Sequence, residues 1–418
     1  MLARPRLSLL FVTFLAAGIH GGCGAHAQET ANAVLPSPAP ITTGAITPMR
    51  AAKTSRAERS CGAEPRDWLH AMIGQMLMFG FQGTSPGQEG PRRIARQLCN
   101  GTIGGVVLLG HNVKSAAQVK RLTALFGETG ASMLPLIAVD QEGGEVQRLG
   151  PKAGYRRVPE AATIAKRHNT DKAFSIYSKA AAQVRAAGFN VNLGPVVDVN
   201  INPSNPIIGQ RGRSYGRKPE TVIAFARSFV AAHHHQGVLT ALKHFPGHGS
   251  SRRDSHKSFV DISRSWKRER ELAPYAAMAN DARYGDMVMS GHLYHRSLSG
   301  AGRYPATLSA KAINGLLRGE LGYRGVVITD DLEMAAVRKR FGLKETVIRA
   351  VKAGNDILLI SNSADPRLDL PERVSAIIAQ AVSSGEIEMS VIEASFHRIS
   401  ALKNKLGVLR QQMVKRRQ

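Results

Sequence analysis

The sequence predicts an α/β chain folded as one eight-stranded parallel (β/α)8 barrel. Three observations carry this expectation. Short continuous apolar runs, the pattern of strands buried on both faces, recur about eight times along the chain. The spacings between them leave room for helices. Four of the runs end in clusters of Asp, Glu, His and Lys, as expected where all strand ends open on one functional face. An open doubly wound sheet has the same alternation. No Gly-x-Gly-x-x-Gly follows the early strands, which counts against a dinucleotide fold.

The elements are justified in chain order. Residues 1–27 read as an export signal: Arg4 and Arg6 precede the apolar run Leu7–Ala17, and Ala25-His26-Ala27 fits small-x-small cleavage before Gln28. An uncleaved anchor is the alternative, although the run is short for a spanning helix. A lipoprotein anchored at Cys23 ranks below both, because Ile19-His20-Gly21-Gly22 lacks the usual apolar residue three before the cysteine. A periplasmic or secreted location follows. Residues 28–63, rich in Ala, Pro, Thr and Ser without periodicity, read as a linker.

The barrel is expected over residues 64–409, with a basic tail at 410–418. Its strand candidates are Met76–Phe81, Ile103–Leu109, Leu134–Val139, Phe189–Val191 with Val196–Val199 behind, Val238–Leu242, Met287–Met289, Val326–Thr329 and Asp356–Ile360. Helices are expected over Asp171–Ala187, over Pro219–Gln236 with Pro at its start, and over Ser309–Leu321 capped by Ser309. Glu372–Leu409 reads as two amphipathic helices covering the barrel. No later window is apolar for long enough to span a membrane, so a mature protein without a transmembrane span is expected.

Composition narrows the function. The 418 residues are 43% hydrophobic and 21% charged, a globular balance. Three cysteines exclude a disulfide framework or a multi-Cys zinc module. Export would leave Cys61 and Cys99, which either pair, tying the N-terminal arm to the fold, or stand as separate thiols. The formal charge of +25 is dispersed, its densest runs being Arg252-Arg253, Lys267-Arg268, Arg338-Lys339-Arg340 and Lys415-Arg416-Arg417. With only 6% aromatic residues and no basic stripe interleaved with them, no nucleic-acid partner is expected.

The strand ends carry the chemistry. Leu136–Val139 runs into Asp140-Gln141-Glu142-Gly143-Gly144, and Val238–Leu242 into Lys243-His244-Phe245-Pro246-Gly247-His248-Gly249. Met287–Met289 runs into Ser290-Gly291-His292, and Val326–Thr329 into Asp330-Asp331. Metal catalysis is disfavoured, because Pro246 and Gly247 interrupt the helix that a His244/His248 ligand pair would need. His233-His234-His235 reads as a solvated or dipole-complementing cluster at a helix end. Hydride transfer lacks its glycine fingerprint. Acid/base and nucleophilic chemistry on a sugar suits Asp, Glu and His at strand ends.

Asp140-Gln141-Glu142-Gly143-Gly144-x-Val146-x-Arg148 resembles the sugar-binding strand end of glycoside hydrolase family 3. Lys243 to Gly249 followed by Asp254-Ser255-His256 is similar to the signature of that family's β-N-acetylglucosaminidases. Pro305–Ser309 and Gly325–Asp331 match family segments in the right order, and the likeness runs from about Trp68 to Leu409. The resemblance implies a retaining mechanism with Asp330 as nucleophile, Asp331 being its positional rival, and His256 as general acid/base partnered by Asp254. It implies that Asp140, Arg148, Lys243 and His244 hold sugar hydroxyls, with His292 a further contact. The family's Arg-Ser-Phe-like element is replaced by Arg211-Gly212-Arg213-Ser214-Tyr215, where Arg213 is the better match and Arg211 the alternative.

Single-domain members of this type imply a barrel without the second α/β sandwich domain, and no metal or cofactor. The expected function is an exo-β-N-acetylglucosaminidase, expected as a monomer, acting on peptidoglycan fragments or chitooligosaccharides. A β-glucosidase, a phosphorylase of the same family and a non-catalytic glycan-binding protein are the alternatives.

Overall fold

The structure, a computed structural model, describes residues 67–300 and 302–416. Eight strands form one all-parallel sheet in sequential order. They are β1 (Leu77–Phe79), β2 (Gly105–Leu108), β3 (Leu136–Val139), β4 (Val191–Asn192), β5 (Leu239–Phe245), β6 (Met287–Ser290), β7 (Val326–Thr329) and β8 (Leu358–Ile360). Leu77 lies opposite Leu358, so β1 closes on β8. Between β7 and β8 the ring is completed by a parallel bridge, Ile328 to Ile357, and by the Thr329 amide donating to Ile357 O at 2.9 Å. Each predicted apolar run contributes its strand, and every residue of these eight strands is buried. Helices outside the ring cover one face of the sheet and side chains fill its inside, which is why the runs show no alternation.

The helices Thr170–Ala186 and Pro219–His235 lie within a residue or so of expectation. Proline at the first position of the second costs nothing there, since that amide has no intrahelical partner. The segment Lys311–Glu320 forms a wide π-type helix, and Ser309 does not cap it: its hydroxyl turns to Leu298 O instead. The helix Leu370–Ser383 is followed by Met389–Lys415, which runs beyond residue 409, so no separate tail begins there.

The histidine cluster also differs from expectation. His233 is fully buried and stacks on Phe229 with ring centroids 4.1 Å apart. His234 bonds Asp286 at 2.6 Å, and only His235 is exposed. The helix end is packed against the barrel floor, so its histidines serve as core and as partners of a buried carboxylate. Cys99 is disulfide-bonded; Cys61, its candidate partner, lies outside the described residues, as do the signal segment, the linker and Cys23. Among the described residues no helix is long and apolar enough to cross a membrane.

Candidate active site

The C-terminal ends of the strands surround a cavity of about 430 Å³. Its floor is apolar, from Val107, Leu193, Met289 and Leu359, and its walls carry Asp140, Glu142, Arg148, Arg213, Lys243, His244, Asp254, His256, Asp330 and Asp331. Residues from distant parts of the chain meet here because all eight strands point the same way.

The β3 end shows how the local sequence builds one wall. After Asp140 the chain makes a short antiparallel hairpin, Gln141–Gly143 with Val146–Gln147. Gly143 (φ +112°) and Gly144 (φ +61°) form its turn, and a Cβ on Gly143 would fall 2.3 Å from Pro159 O. Only glycine fits such a position. The return strand brings the Arg148 amide to Asp140 O at 3.2 Å and Arg148 Nη2 to 3.8 Å from Asp140 Oδ2.

Beneath this hairpin lies a buried charge cluster. Lys243 Nζ donates to Asp140 Oδ1 and lies against Glu142 Oε1, both at 2.8 Å. Arg213 grips Glu142 through Nε to Oε2 and Nη2 to Oε1, each 2.8 Å, the bidentate geometry that suits guanidinium to carboxylate. Burial works against the charge on Glu142, but Arg213 and Lys243 outweigh it and hold the carboxyl well below the usual range. Between the two candidate arginines, Arg213 is the buried one. Arg211 stands at the rim, paired with Glu145 at 2.9 Å.

The β5 end carries His244, whose Nδ1 bonds Asp198 Oδ2 at 2.8 Å while Nε2 faces Arg213 Nη2 at 3.5 Å. The loop after β5 brings Asp254 and His256 to the cavity. His256 Nδ1 lies 2.8 Å from Asp254 Oδ1, and the His256 side chain is 55% exposed. Burial raises the Asp254 carboxyl, yet hydrogen bonds from the His256 amide and ring hold it below the ordinary carboxylate value.

At the β7 end the two aspartates diverge. Burial disfavours the Asp330 charge, but His292, His244 and His256 around it and the Asp331 amide bring its pKa to about 2. Asp331 is pushed up to about 6, mainly by burial. Its carboxyl accepts the amides of Ser361 (2.9 Å) and Glu333 (3.1 Å).

His292 departs from expectation. It does not line the cavity, and both ring nitrogens are taken within the protein, Nδ1 by Thr307 Oγ1 (3.0 Å) and Nε2 by Asp331 O (2.8 Å). It braces the β6 and β7 ends and has no nitrogen free for a sugar. Two residues went unassigned at the sequence level. Glu142 sits inside the Asp-Gln-Glu-Gly-Gly motif, and its neighbour Asp140 was preferred. Asp198 lies inside the apolar run behind β4, where a carboxylate amid valines was the available signal.

Residues 68–402 match the family model described as the glycosyl hydrolase family 3 N-terminal domain. The chain belongs to glycoside hydrolase family 3. Its similarity to β-hexosaminidase A of Pseudoalteromonas piscicida is 33% identity over 367 residues, covering 80% of this chain and 61% of that protein. The β-hexosaminidase LpqI of Mycobacterium tuberculosis is 33% identical over 352 residues, 81% of this chain and 82% of LpqI. Among solved structures, the family 3 β-N-acetylglucosaminidase of a Paenibacillus species superposes with a TM-score of 0.72 at 35% identity. That match covers 81% of this chain and 63% of the other. The chain therefore spans less than two thirds of some family 3 relatives and more than four fifths of others.

Proposed function

We propose that this family 3 chain is a retaining exo-β-N-acetylglucosaminidase that removes terminal β-linked N-acetylglucosamine from peptidoglycan fragments or chitooligosaccharides. The observation that carries the reading is that one cavity holds a strongly ionised Asp330 and, on a separate loop, the Asp254–His256 pair. The names of the relatives favour N-acetylglucosamine over glucose. The apolar floor closes the cavity towards the barrel interior, which suits a single terminal sugar.

In this reading the Asp330 carboxylate attacks the anomeric carbon as the glycosidic bond breaks, giving a covalent glycosyl-enzyme. His256 is the general acid. Its Nδ1 is held by Asp254, leaving Nε2, with no partner among the described residues, to protonate the departing oxygen. Asp254 orients the ring and stabilises the imidazolium. In the second half, His256 takes a proton from water, which attacks the anomeric carbon and frees Asp330. The net result is retention. Asp140, Arg148, Arg213, Lys243 and His244 would grip the sugar hydroxyls. Arg148 Nε, buried without a hydrogen-bond partner, is a donor suited to one of them. No metal or cofactor enters any step. The segment 1–27 supports export to the periplasm or the medium.

The test compares wild type with Asp330→Ala on 4-nitrophenyl N-acetyl-β-glucosaminide and on the β-glucoside, each with and without phosphate. Turnover of the first substrate that is indifferent to phosphate and lost in the variant is expected. Turnover of the glucoside alone, or a strict need for phosphate, would replace the hexosaminidase reading with a glucosidase or a phosphorylase. No turnover of either would leave a glycan-binding protein.

A further inference from the structure

His256 meets Asp330 only if its loop is held in place, and the dyad cannot hold itself. The partner of His256, Asp254, is two residues away on the same loop, and the His256 side chain is half exposed. The anchoring must come from elsewhere.

The loop leaves β5 at Phe245 and turns at once through Gly247 and His248. The His248 ring is buried and lies across the inside of the loop. Its Nδ1 bonds Ser251 Oγ at 2.8 Å and its Nε2 bonds Ser255 Oγ at 3.1 Å. Ser255 is the residue between Asp254 and His256. The His248 amide donates to Asp198 Oδ1 at 2.7 Å, on the carboxylate whose other oxygen holds His244. From the facing segment, Asn205 Nδ2 donates to His248 O (2.7 Å) and to Ser251 Oγ (3.0 Å), and Asn202 Nδ2 donates to Ser251 O (2.9 Å).

We propose that His248 is a positioning residue for the general acid/base, tying the Asp254–His256 dyad through Ser255 to the Asp198–His244 wall of the sugar site. This rests on the glycosidase reading given above. A neutral imidazole suits the task, since one nitrogen donates while the other accepts, and a serine hydroxyl can do either. Burial keeps the ring neutral, with a pKa lowered to about 4. The same strut links two jobs: the wall that grips the sugar also sets where the proton donor stands.

The measurement is a leaving-group series of aryl N-acetyl-β-glucosaminides, from 2,4-dinitrophenyl to phenyl, with chitobiose as the least activated member. His256→Gly serves as reference. A good leaving group needs no proton, so loss of the general acid falls hardest on poor ones. For His248→Ala, kcat/KM on phenyl glycoside and chitobiose is expected to fall roughly 10–100-fold, with the dinitrophenyl substrate within about threefold of wild type. Azide, which attacks the glycosyl-enzyme without base assistance, should partly restore kcat in both variants. Ser255→Ala removes only one hydroxyl of the strut and should give the same pattern more weakly, which keeps the test decisive if His248→Ala does not fold.

An equal fall across the series without azide rescue would make His248 merely structural and overturn the inference, as would wild-type behaviour. If His256→Gly itself lacks the leaving-group signature, the acid/base assignment fails, and this inference falls with it. A normal His256→Gly response beside an unselective His248→Ala overturns the inference alone.

Discussion

The Asp331 amide donates to Asp330 Oδ1 at 2.8 Å, while the Asp331 carboxyl points the other way, towards the amides of Ser361 and Glu333. Both line the cavity, but Asp330 sits among three histidines while Asp331 ties down the β8 loop.

Asp330→Asn is therefore expected to reduce kcat by at least ~10³-fold on any glycoside while leaving the melting temperature close to wild type. Asp331→Ala, which removes the acceptor of two loop amides, should do the reverse, with a modest loss of activity and a clear loss of stability. Steady-state kinetics beside thermal melts separates the two, and equal kinetic damage from both would remove the distinction.

Glu142 pairs with Arg213 and shares Lys243 with Asp140 in a site with almost no access to water. Removing one member of a buried charge cluster leaves the rest uncompensated, at a cost of about 3–5 kcal/mol. Glu142→Ala is expected to lose stability on this scale in urea unfolding and to raise KM, since both cations then lose their fixed positions. Arg211→Ala, whose partner Glu145 is exposed, should cost under about 1 kcal/mol.

His233 and His248 are both buried and neutral, with pKa values lowered to about 4. The unfolded chain binds their protons near pH 6.5, whereas the folded chain resists until about 4. The folded state is therefore fully favoured above about 6.5, and its advantage is lost as pH falls from there towards 4. By pH 5 each histidine should have removed about 2 kcal/mol. His233→Gln is expected to make unfolding free energy less steep between pH 7 and 5 than in wild type. An unchanged slope would place the acid sensitivity elsewhere.

Cys99 carries a disulfide. Peptide mapping of the exported protein without reduction should return a cross-linked peptide joining Cys99 to Cys61. Cys99→Ser should lower stability by about 2–5 kcal/mol. A free thiol on Cys99 would contradict both.

Chelation is expected to leave turnover unchanged. His244 and His248 are four apart in sequence, but they face different partners, His244 turning to Asp198 and Arg213 and His248 to Ser251 and Ser255. Metal-dependent loss of activity in a titration with EDTA would require another site.

The barrel was legible because its strands are buried on both faces, and burial writes itself locally as Leu-Ile-Ala-Val at 136–139 or Val-Val-Ile-Thr at 326–329. The place of the site was legible, because the polar residues that break those runs must lie on one rim of a parallel barrel. Ser309 and His292 are placed differently from expectation for one reason. Each has a local motif that suits one task, and a partner far along the chain, Leu298 O for the first and Asp331 O for the second, took the side chain for another.

By itself, the sequence determined the barrel class, the strand positions and that polar residues from several strand ends would share one rim. These follow from hydrophobic periodicity and from covalent neighbours. The tertiary structure decided that Asp330 has the lower pKa of two adjacent aspartates, that Arg213 rather than Arg211 is buried on Glu142, and that the His248 ring bonds Ser251 and Ser255 of the loop. Those outcomes depend on side chains from different strands meeting within about 3 Å, where burial and charge set protonation together. Such distances are created only when the ring of strands closes.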